Sequence, residues 1–446
     1  VIVKKFEAKG VFGYIDFNIL FNEDVSFLIG GNGSGKTTAL KLMNALLKPN
    51  FKDLFQIPFD NCSIVIKSDD QNITITSKKD NEKIHLSISG IDEFLLLPSI
   101  SGNEINYFNH REEKFDELID DITRRNVEHP VVKAISKIDT PIFLGLDRRR
   151  DMSDNKSDYY LERELWIKNK NSSQNSRRLI TGQNGISLIE TEMLVLNSYR
   201  RIRDLEDRKS IKLRDKILLS SFQYSKFNQE EFETERWKPK EEEKRRLLER
   251  QKEITDAISK IVGENSTLNA EVNKFFDSIR DLFDSFNGTG GGISIEWLLN
   301  KAQIERMSTL VDIIDEHKSA IDKLYKPIND FLNMVNDFYR DSAKSLKIDA
   351  VGQLLVVRPD GKECTIEGLS SGERQLFVIF AHAFFNHYVN KKSVFIIDEP
   401  ELSLHMSWQE KFAETIFSVS PNSQFILATH SPEIVAGNKN KAVKCR

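Results

Sequence analysis

"GGNGSGKTT", residues 30 to 38, settles how the rest of this chain is read. It fits the pattern G-x-x-x-x-G-K-[ST] through Gly30, Gly35, Lys36 and Thr37. The apolar run "VSFLI" stands before it, and "KTTALKLMNALL", apolar at helical spacing, follows. The loop therefore joins a buried strand to the first turn of a helix. The first N–H groups of a helix have no acceptor within it and carry partial positive charge, which makes that turn a phosphate site. Gly30, Asn32, Gly33 and Gly35 leave the loop free to wrap the β- and γ-phosphates of a nucleotide, and Lys36 meets their charge. The hydroxyls of Thr37 and Thr38 open the helix, with Thr37 placed to ligate Mg²⁺.

Far along the chain, three further stretches carry the chemistry such a loop needs. In "SVFIIDEPE" an unbroken apolar run, Val394 to Ile397, has the pattern of a strand buried on both faces. Asp398 leaves its end to hold Mg²⁺, and Glu399 follows as the base that takes a proton from a water attacking the γ-phosphate. "QFILATHSP" repeats the design, its strand Phe425 to Ala428 delivering Thr429 and His430 where ligands gather in α/β sheets. His430 is the candidate γ-phosphate contact. "GLSSGERQLF", residues 368 to 377, is a second anion cradle: Ser370, Ser371, Gly372 and Glu373 run straight into an apolar helix.

Composition bounds the classes open to the chain. Its 446 residues suffice for two or three domains, and 39% hydrophobic against 30% charged residues is the balance of a globular protein. The longest apolar stretch, around "LFVIFAHAFF", is too short to cross a bilayer. The start "VIVKKFEAKG" alternates like a strand rather than a secretion signal, and Cys62, Cys364 and Cys445 lack metal spacing, so a reducing cytoplasm is expected. A net charge of -4 leaves nucleic-acid contact to local patches. Candidates for these are "DRRR", Asp147 to Arg150, and Arg200, Arg201 and Arg203 of "SYRRIRD", although charge runs of this kind are commonly solvated faces.

Three segments follow from the patterning: 1–150, short strands around the phosphate loop; 151–342, polar, charge-dense and helical; and 343–446, where strands return. Leu247, Ile254 and Ile261 recur every seven residues with Ile258 between them. Met307, Leu310, Ile314, Ile321, Leu324 and Ile328 stripe a second helix that Pro327 is expected to kink. Helices of 35 to 40 residues reach only about 50 to 60 Å, too short for a long tethering coiled coil. "NGTGGG", Asn287 to Gly292, is a hinge or loop, and Pro359, Asp360 and Gly361 turn a hairpin.

Together these motifs resemble the head of an ABC-type ATPase: α/β, a mixed sheet with a P-loop core and an antiparallel attachment, here with a large helical insertion. "LSSGE", Leu369 to Glu373, resembles the ABC signature "LSGGQ". The resemblance implies that Ser370, Ser371, Gly372 and Glu373 of one subunit close over ATP and Mg²⁺ held by the P-loop of another in a head-to-tail dimer. "ELSLH" stands in the place of the D-loop, which puts Ser403 and Leu404 at the same interface. From Lys36 to Ser370 is 334 positions (370 − 36), more than a transporter head uses, and with "DEPELSLH" and "ATHSPEI" this is similar to the SMC-like and OLD-like ATPases of DNA repair and antiviral defence.

The layout resembles most the PtuA-type ATPases of Septu and retron systems, which implies a partner nuclease of HNH type and contact with nucleic acid directly or through the complex. Two features depart from these families. A Q-loop glutamine is missing after "PIFLGLD", leaving Asp147 or the arginines beside it, and the Toprim nuclease of OLD proteins is not found after His430. Intrinsic nuclease activity is therefore not expected. The alternative is an SMC-like repair ATPase that binds DNA itself; a transporter subunit is disfavoured by the insertion. Phe12 and Tyr14 are candidates for stacking on adenine, though an aromatic in a strand more often belongs to the core.

Overall fold

The structure is a computed structural model, and it describes residues 1–48, 51–68, 71–80, 83–99, 112–139, 141–145, 183–221, 241–262, 266–288, 295–386 and 393–445. In chain order the first elements are β1 (Ile2–Val11), β2 (Ile15–Leu20), β3 (Val25–Ile29), α1 (Lys36–Leu47), α2 (Lys52–Gln56), β4 (Asn61–Ser68), β5 (Gln71–Lys79), β6 (Lys83–Ile88) and β7 (Leu95–Pro98). Helices α3 (Glu112–Asn126) and α4 (Pro130–Ser136) lead to β8 (Ile142–Leu144), and then come α5 (Gln183–Ser221), α6 (Glu241–Glu249), α7 (Gln251–Val262), α8 (Ser266–Gly288) and α9 (Ile295–Tyr339). The last stretch holds β9 (Ser345–Ile348), β10 (Leu354–Val357), β11 (Glu363–Cys364), α10 (Ser371–Asn386), β12 (Val394–Asp398), α11 (Met406–Val419), β13 (Gln424–Ala428), α12 (Pro432–Val435) and β14 (Ala442–Lys444).

Two compact units result: residues 1–198 with 331–446, and residues 199–330. The first is mixed α/β. Alternation in β2 buries Ile15, Phe17 and Ile19 on one face, and a register shift between Val3 and Lys5 in β1 lets both Val3 and Phe6 point inward. These strands belong to a six-stranded antiparallel sheet ordered β2-β1-β4-β5-β6-β7. A five-stranded sheet ordered β14-β3-β13-β12-β8 has every neighbouring pair parallel. Its central strands β12 and β13 are buried at every residue, as an apolar run covered on both faces requires.

Helix α1 is apolar almost all round, with Ala39, Leu40, Leu42, Met43, Ala45, Leu46 and Leu47 buried, and it shares one core with residues of both sheets. Gln424 fastens the sheets to each other. Its side chain accepts from the Val3 N–H at 2.7 Å and donates to the carbonyls of Val3 (2.8 Å) and Asn22 (2.7 Å). Such a buried amide is tolerated because its donors and its acceptor are all used.

The second unit is helical. Leu247, Ile254, Phe276, Ile279, Leu282, Phe283, Trp297, Ile304 and Val311 form its core, with Met307 and Ile314 packed against them. Charged pairs such as Arg250–Asp315 and Arg246–Asp312 flank it. Ile258 and Ile261 of the heptad pattern have side chains outside the described set, and residues Thr289 to Gly292 of the hinge lie outside it too, while its first residues Asn287 and Gly288 close α8. Helix α9 runs through Pro327 as one helix.

This unit is narrower than the 151–342 insertion read from the sequence, and the reason is packing at the two helix ends. Phe331 on α9 is fully buried among Phe377, Phe384 and Phe385 of α10, with ring centroids 6.1, 5.7 and 4.9 Å away. Phe338 meets Phe380 and Trp408, and on α5 the buried Thr191 lies 3.3 Å from His382. Residues that look like the ends of an insertion are thus core of the first unit.

Candidate functional site

The parallel sheet brings the distant motifs to one edge. Its register pairs Asp398 on β12 with Ala428 on β13, and Ala428 with Leu28 on β3. All three strands therefore end at one level, with the P-loop after β3, Glu399 after β12 and Thr429 and His430 after β13. The His430 strand lies between the other two.

Within the loop, Gly33 (φ 78°) and Gly35 (φ 88°) adopt the left-handed conformation that other residues avoid. A Cβ at Gly35 would also stand 2.7 Å from the Phe17 ring. Helix α1 starts with no side-chain cap and no acidic residue in its first turn, so its N–H groups and dipole are left to a ligand. Lys36 is only 6% exposed. Its Nζ donates to the carbonyls of Gly30 (2.8 Å) and Gly31 (3.4 Å) and lies 2.7 Å from Nε2 of His430. Burial holds its ammonium below the ordinary lysine value, against the pull of Cys445, Glu399, Asp398 and Glu401.

Asp398 is buried at the end of β12 with 1% exposure. Glu399 turns the chain sharply, at φ 46°, with its N–H bonded to the Ala428 carbonyl at 2.8 Å, and its carboxylate lies 4.0 Å from His430. A positive φ outside glycine marks a residue held in place by its surroundings. Glu401 does part of that holding. It accepts from the Thr429 hydroxyl at 2.8 Å and from the His430 N–H at 2.6 Å, which ties the turn after β12 to the end of β13. Glu401 stands three residues past Asp398 in "SVFIIDEPE", and that place in the motif is its one signal in the sequence.

These residues fit a nucleotide with Mg²⁺. A buried ammonium faces three carboxylates, and Gly31 and Gly33 have open space where a Cβ would project. Thr37 and Asp398 would hold the metal, and Thr38 is half-buried in the first turn of α1.

The signature stretch forms a second helix start. Ser370 and Ser371 are exposed, while Gly372 packs so tightly that a Cβ there would sit 2.4 Å from the Ser403 carbonyl oxygen. Gln375 donates to the Pro400 carbonyl at 2.9 Å, and Leu404 is buried, so the D-loop turn and the signature helix form one body. Glu373 departs from its expected role as a nucleotide contact. Only 1% exposed, it accepts the Ser370 N–H at 2.6 Å, while Ser370 Oγ lies 3.4 Å from the Glu373 N–H. This is a capping box, in which the third helical residue satisfies the cap instead of reaching outward. Ser342 and Lys344, which no motif pointed to, bond the same carboxylate at 2.6 and 2.8 Å. Burial pushes Glu373 up, but Lys344, Ser342 and Ser370 outweigh it and hold the carboxyl below its ordinary value.

Phe12 and Tyr14 are not core, as an aromatic in a strand would suggest. They lie in the turn between β1 and β2 with 46% and 67% exposure, because Phe12 takes a left-handed φ of 50° and Gly13 one of 79°. Arg200, Arg201 and Arg203 are exposed on α5. Asp147 to Arg150, including the substitute for a Q-loop residue, lie outside the described residues. No helix among the described residues is long and apolar enough to cross a membrane.

The model of an AAA ATPase domain family matches residues 12–435. The probable ATPase of retron Vc95 from Vibrio cholerae serotype O1 biovar El Tor is 26% identical over 195 residues, 39% of this chain and 38% of that protein. Endonuclease GajA from Bacillus cereus strain VD045 is 31% identical over 81 residues, 18% of this chain and 14% of that protein. The Smc head domain with an extended coiled coil from Pyrococcus furiosus, solved with the C-terminal domain of ScpA, aligns over 100% of this chain and 94% of that one at 14% identity and a TM-score of 0.39. The matched part is thus well under half of either curated relative. Because the family match runs from ahead of the P-loop to beyond His430, the chain belongs to the AAA ATPase domain family.

Proposed function

We propose that this chain binds and hydrolyses ATP in a head-to-tail dimer and uses that cycle to control a partner nuclease in antiviral defence. One observation carries the dimer. Among the described residues no hydrogen bond or ion pair joins the signature segment, 368–375, to the P-loop, 30–38, although both are helix starts suited to phosphate. A second copy supplies the missing half: its Ser370, Ser371 and Gly372 meet the phosphates that Lys36 and the start of α1 hold in the first.

Each residue has a part in that site. Lys36 and the N–H groups of Gly33 to Lys36 bind and orient the β- and γ-phosphates, and bound Mg²⁺ adds positive charge to the phosphoryl oxygens. Glu399 accepts the proton of the attacking water. His430, held by Glu401 beside Lys36, positions the γ-phosphate end. The exposed Phe12 and Tyr14 are available for stacking on adenine.

The nuclease partner, of HNH type, rests on the resemblance to the PtuA-type ATPases, and the separate helical unit, residues 199–330, is its proposed docking surface. Direct DNA binding, the second reading, has the exposed Arg200, Arg201 and Arg203 in its favour. Cytoplasmic location follows from the partners proposed. Sedimentation of the full chain tests the nucleotide-driven dimer: Glu399→Gln is expected to dimerise with ATP and Mg²⁺, and Lys36→Ala to stay monomeric. A Glu399→Gln chain that ignores ATP overturns the reading.

A further inference from the structure

The carboxylate under the signature cradle poses an electrostatic problem. Glu373 lies one residue beyond Gly372, in the first turn of α10, where the leading N–H groups have no acceptor within the helix. A negative charge there favours the helix itself, through the dipole and the capping box. The same charge repels a second anion. In α1, by contrast, the first turn holds no acid.

The structure holds the counter-charge in place. Lys344, 20% exposed at its side chain, pairs with Oε2 of Glu373 at 2.8 Å and donates to the Gly368 carbonyl at 3.2 Å. It therefore grips both ends of the signature turn, the residue before Leu369 and the one after Gly372. Ser342 bonds the other oxygen, Oε1, and the Tyr339 hydroxyl donates to the Glu373 carbonyl at 2.7 Å. The carboxylate is thereby bonded at both oxygens, Oε2 also accepting the Ser370 N–H at 2.6 Å, and is tied back into its own helix start.

We propose that Lys344 is the positioning residue of the signature cradle: by neutralising and locking Glu373, it makes the start of α10 receptive to the phosphates of a nucleotide carried by a second copy of this chain. The inference rests on the trans site proposed above. Lys344 acts through Glu373 and does not itself meet the nucleotide. Its charge, rather than its bulk, is what the cradle requires, so removing the charge of Glu373 makes Lys344 dispensable.

Sedimentation of the full chain with ATP and Mg²⁺, all variants carrying Glu399→Gln, tests this. Lys344→Met is expected to weaken the ATP-dependent dimer by about tenfold or more, the scale of one uncompensated like charge at an interface. Adding Glu373→Gln restores the parent affinity, because Gln still closes the capping box, and Lys344→Arg retains it. Calorimetry on the monomer shows unchanged ATP binding in Lys344→Met, since the P-loop is untouched. A double variant no better than Lys344→Met, or a Lys344→Met chain that dimerises like its parent, overturns the proposal. If Lys344→Met does not fold, the double variant alone is compared with the parent: equal affinity supports the proposal and failure to dimerise overturns it. A parent that shows no ATP-dependent dimer overturns the trans site first, and this inference with it.

Discussion

The two helix starts to which the proposed function assigns phosphate, at α1 and at α10, are finished differently. The first is left open. Its cap, Gly35, offers no side chain to the N–H groups, its first turn has no acid, and a buried lysine waits inside it. The second is closed on itself by a Ser370–Glu373 capping box and needs a lysine from outside the helix to offset its carboxylate. An open start loses local stability, since a missing cap costs roughly 1 kcal/mol, and regains it when a ligand arrives. A closed start is stable unliganded. On the proposed function, the contrast separates a site that holds its own nucleotide from a surface offered to the nucleotide of a second copy.

If that division is right, substitutions at the two starts differ in kind. Lys36→Ala is expected to weaken ATP binding to the isolated chain on the order of a hundredfold, about 3 kcal/mol, because a charge-assisted contact to the phosphates is lost. Ser370→Arg leaves that binding within about twofold and blocks only the dimer. Calorimetry on both variants checks this, and equal losses would erase the distinction between the two starts.

A second comparison concerns what holds each helix. Helix α1 sits in the core of its own sheets, whereas α10 depends on the end of α9, where Phe331 fills a pocket of three phenylalanines. Phe331→Ala is expected to destabilise the first unit by about 3 kcal/mol through the cavity left behind. Denaturant titration measures it. A loss below about 1 kcal/mol would mean that α10 does not rely on α9.

The smallest effect comes from the charge of Glu373, which pairs with Lys344. The folded pKa of Glu373 is depressed, so its contribution is fully present above the unfolded value near 4.3 and is lost as pH falls through the lower folded value. Glu373→Gln should therefore be less stable than wild type by about 1 kcal/mol at neutral pH, with the gap closing below roughly pH 4. A gap that widens in acid has the opposite sign and would mean that the Lys344 pairing does not hold.

What the sequence made legible follows the same physical line. The P-loop could be read because its turn depends on residues adjacent in the chain, and β12 and β13 because unbroken apolar runs mean burial on both faces. The strand order β3-β13-β12 could not, since pairing over hundreds of residues leaves no periodic trace. Lys344 and Ser342 were hidden for that reason too: they meet Glu373 from 29 and 31 positions away. Glu373 was misassigned because a motif gives the residue type and not the direction of its side chain. Phe12 and Tyr14 look like strand aromatics of the core because apolar alternation flanks them on both sides, whereas Gly13 turns the chain between β1 and β2.

The trans site is tested most directly by mixing two inactive chains, Lys36→Ala and Ser370→Arg, and measuring ATP turnover against the mixing ratio. Each is expected to be inactive alone. In a mixed dimer one composite site carries both lesions and the other carries neither, so an equal mixture should regain about a quarter of wild-type turnover, half the dimers each with one working site. No recovery at any ratio, with mixed dimers shown to form, would place the signature and the P-loop of a working site in the same chain and contradict the account.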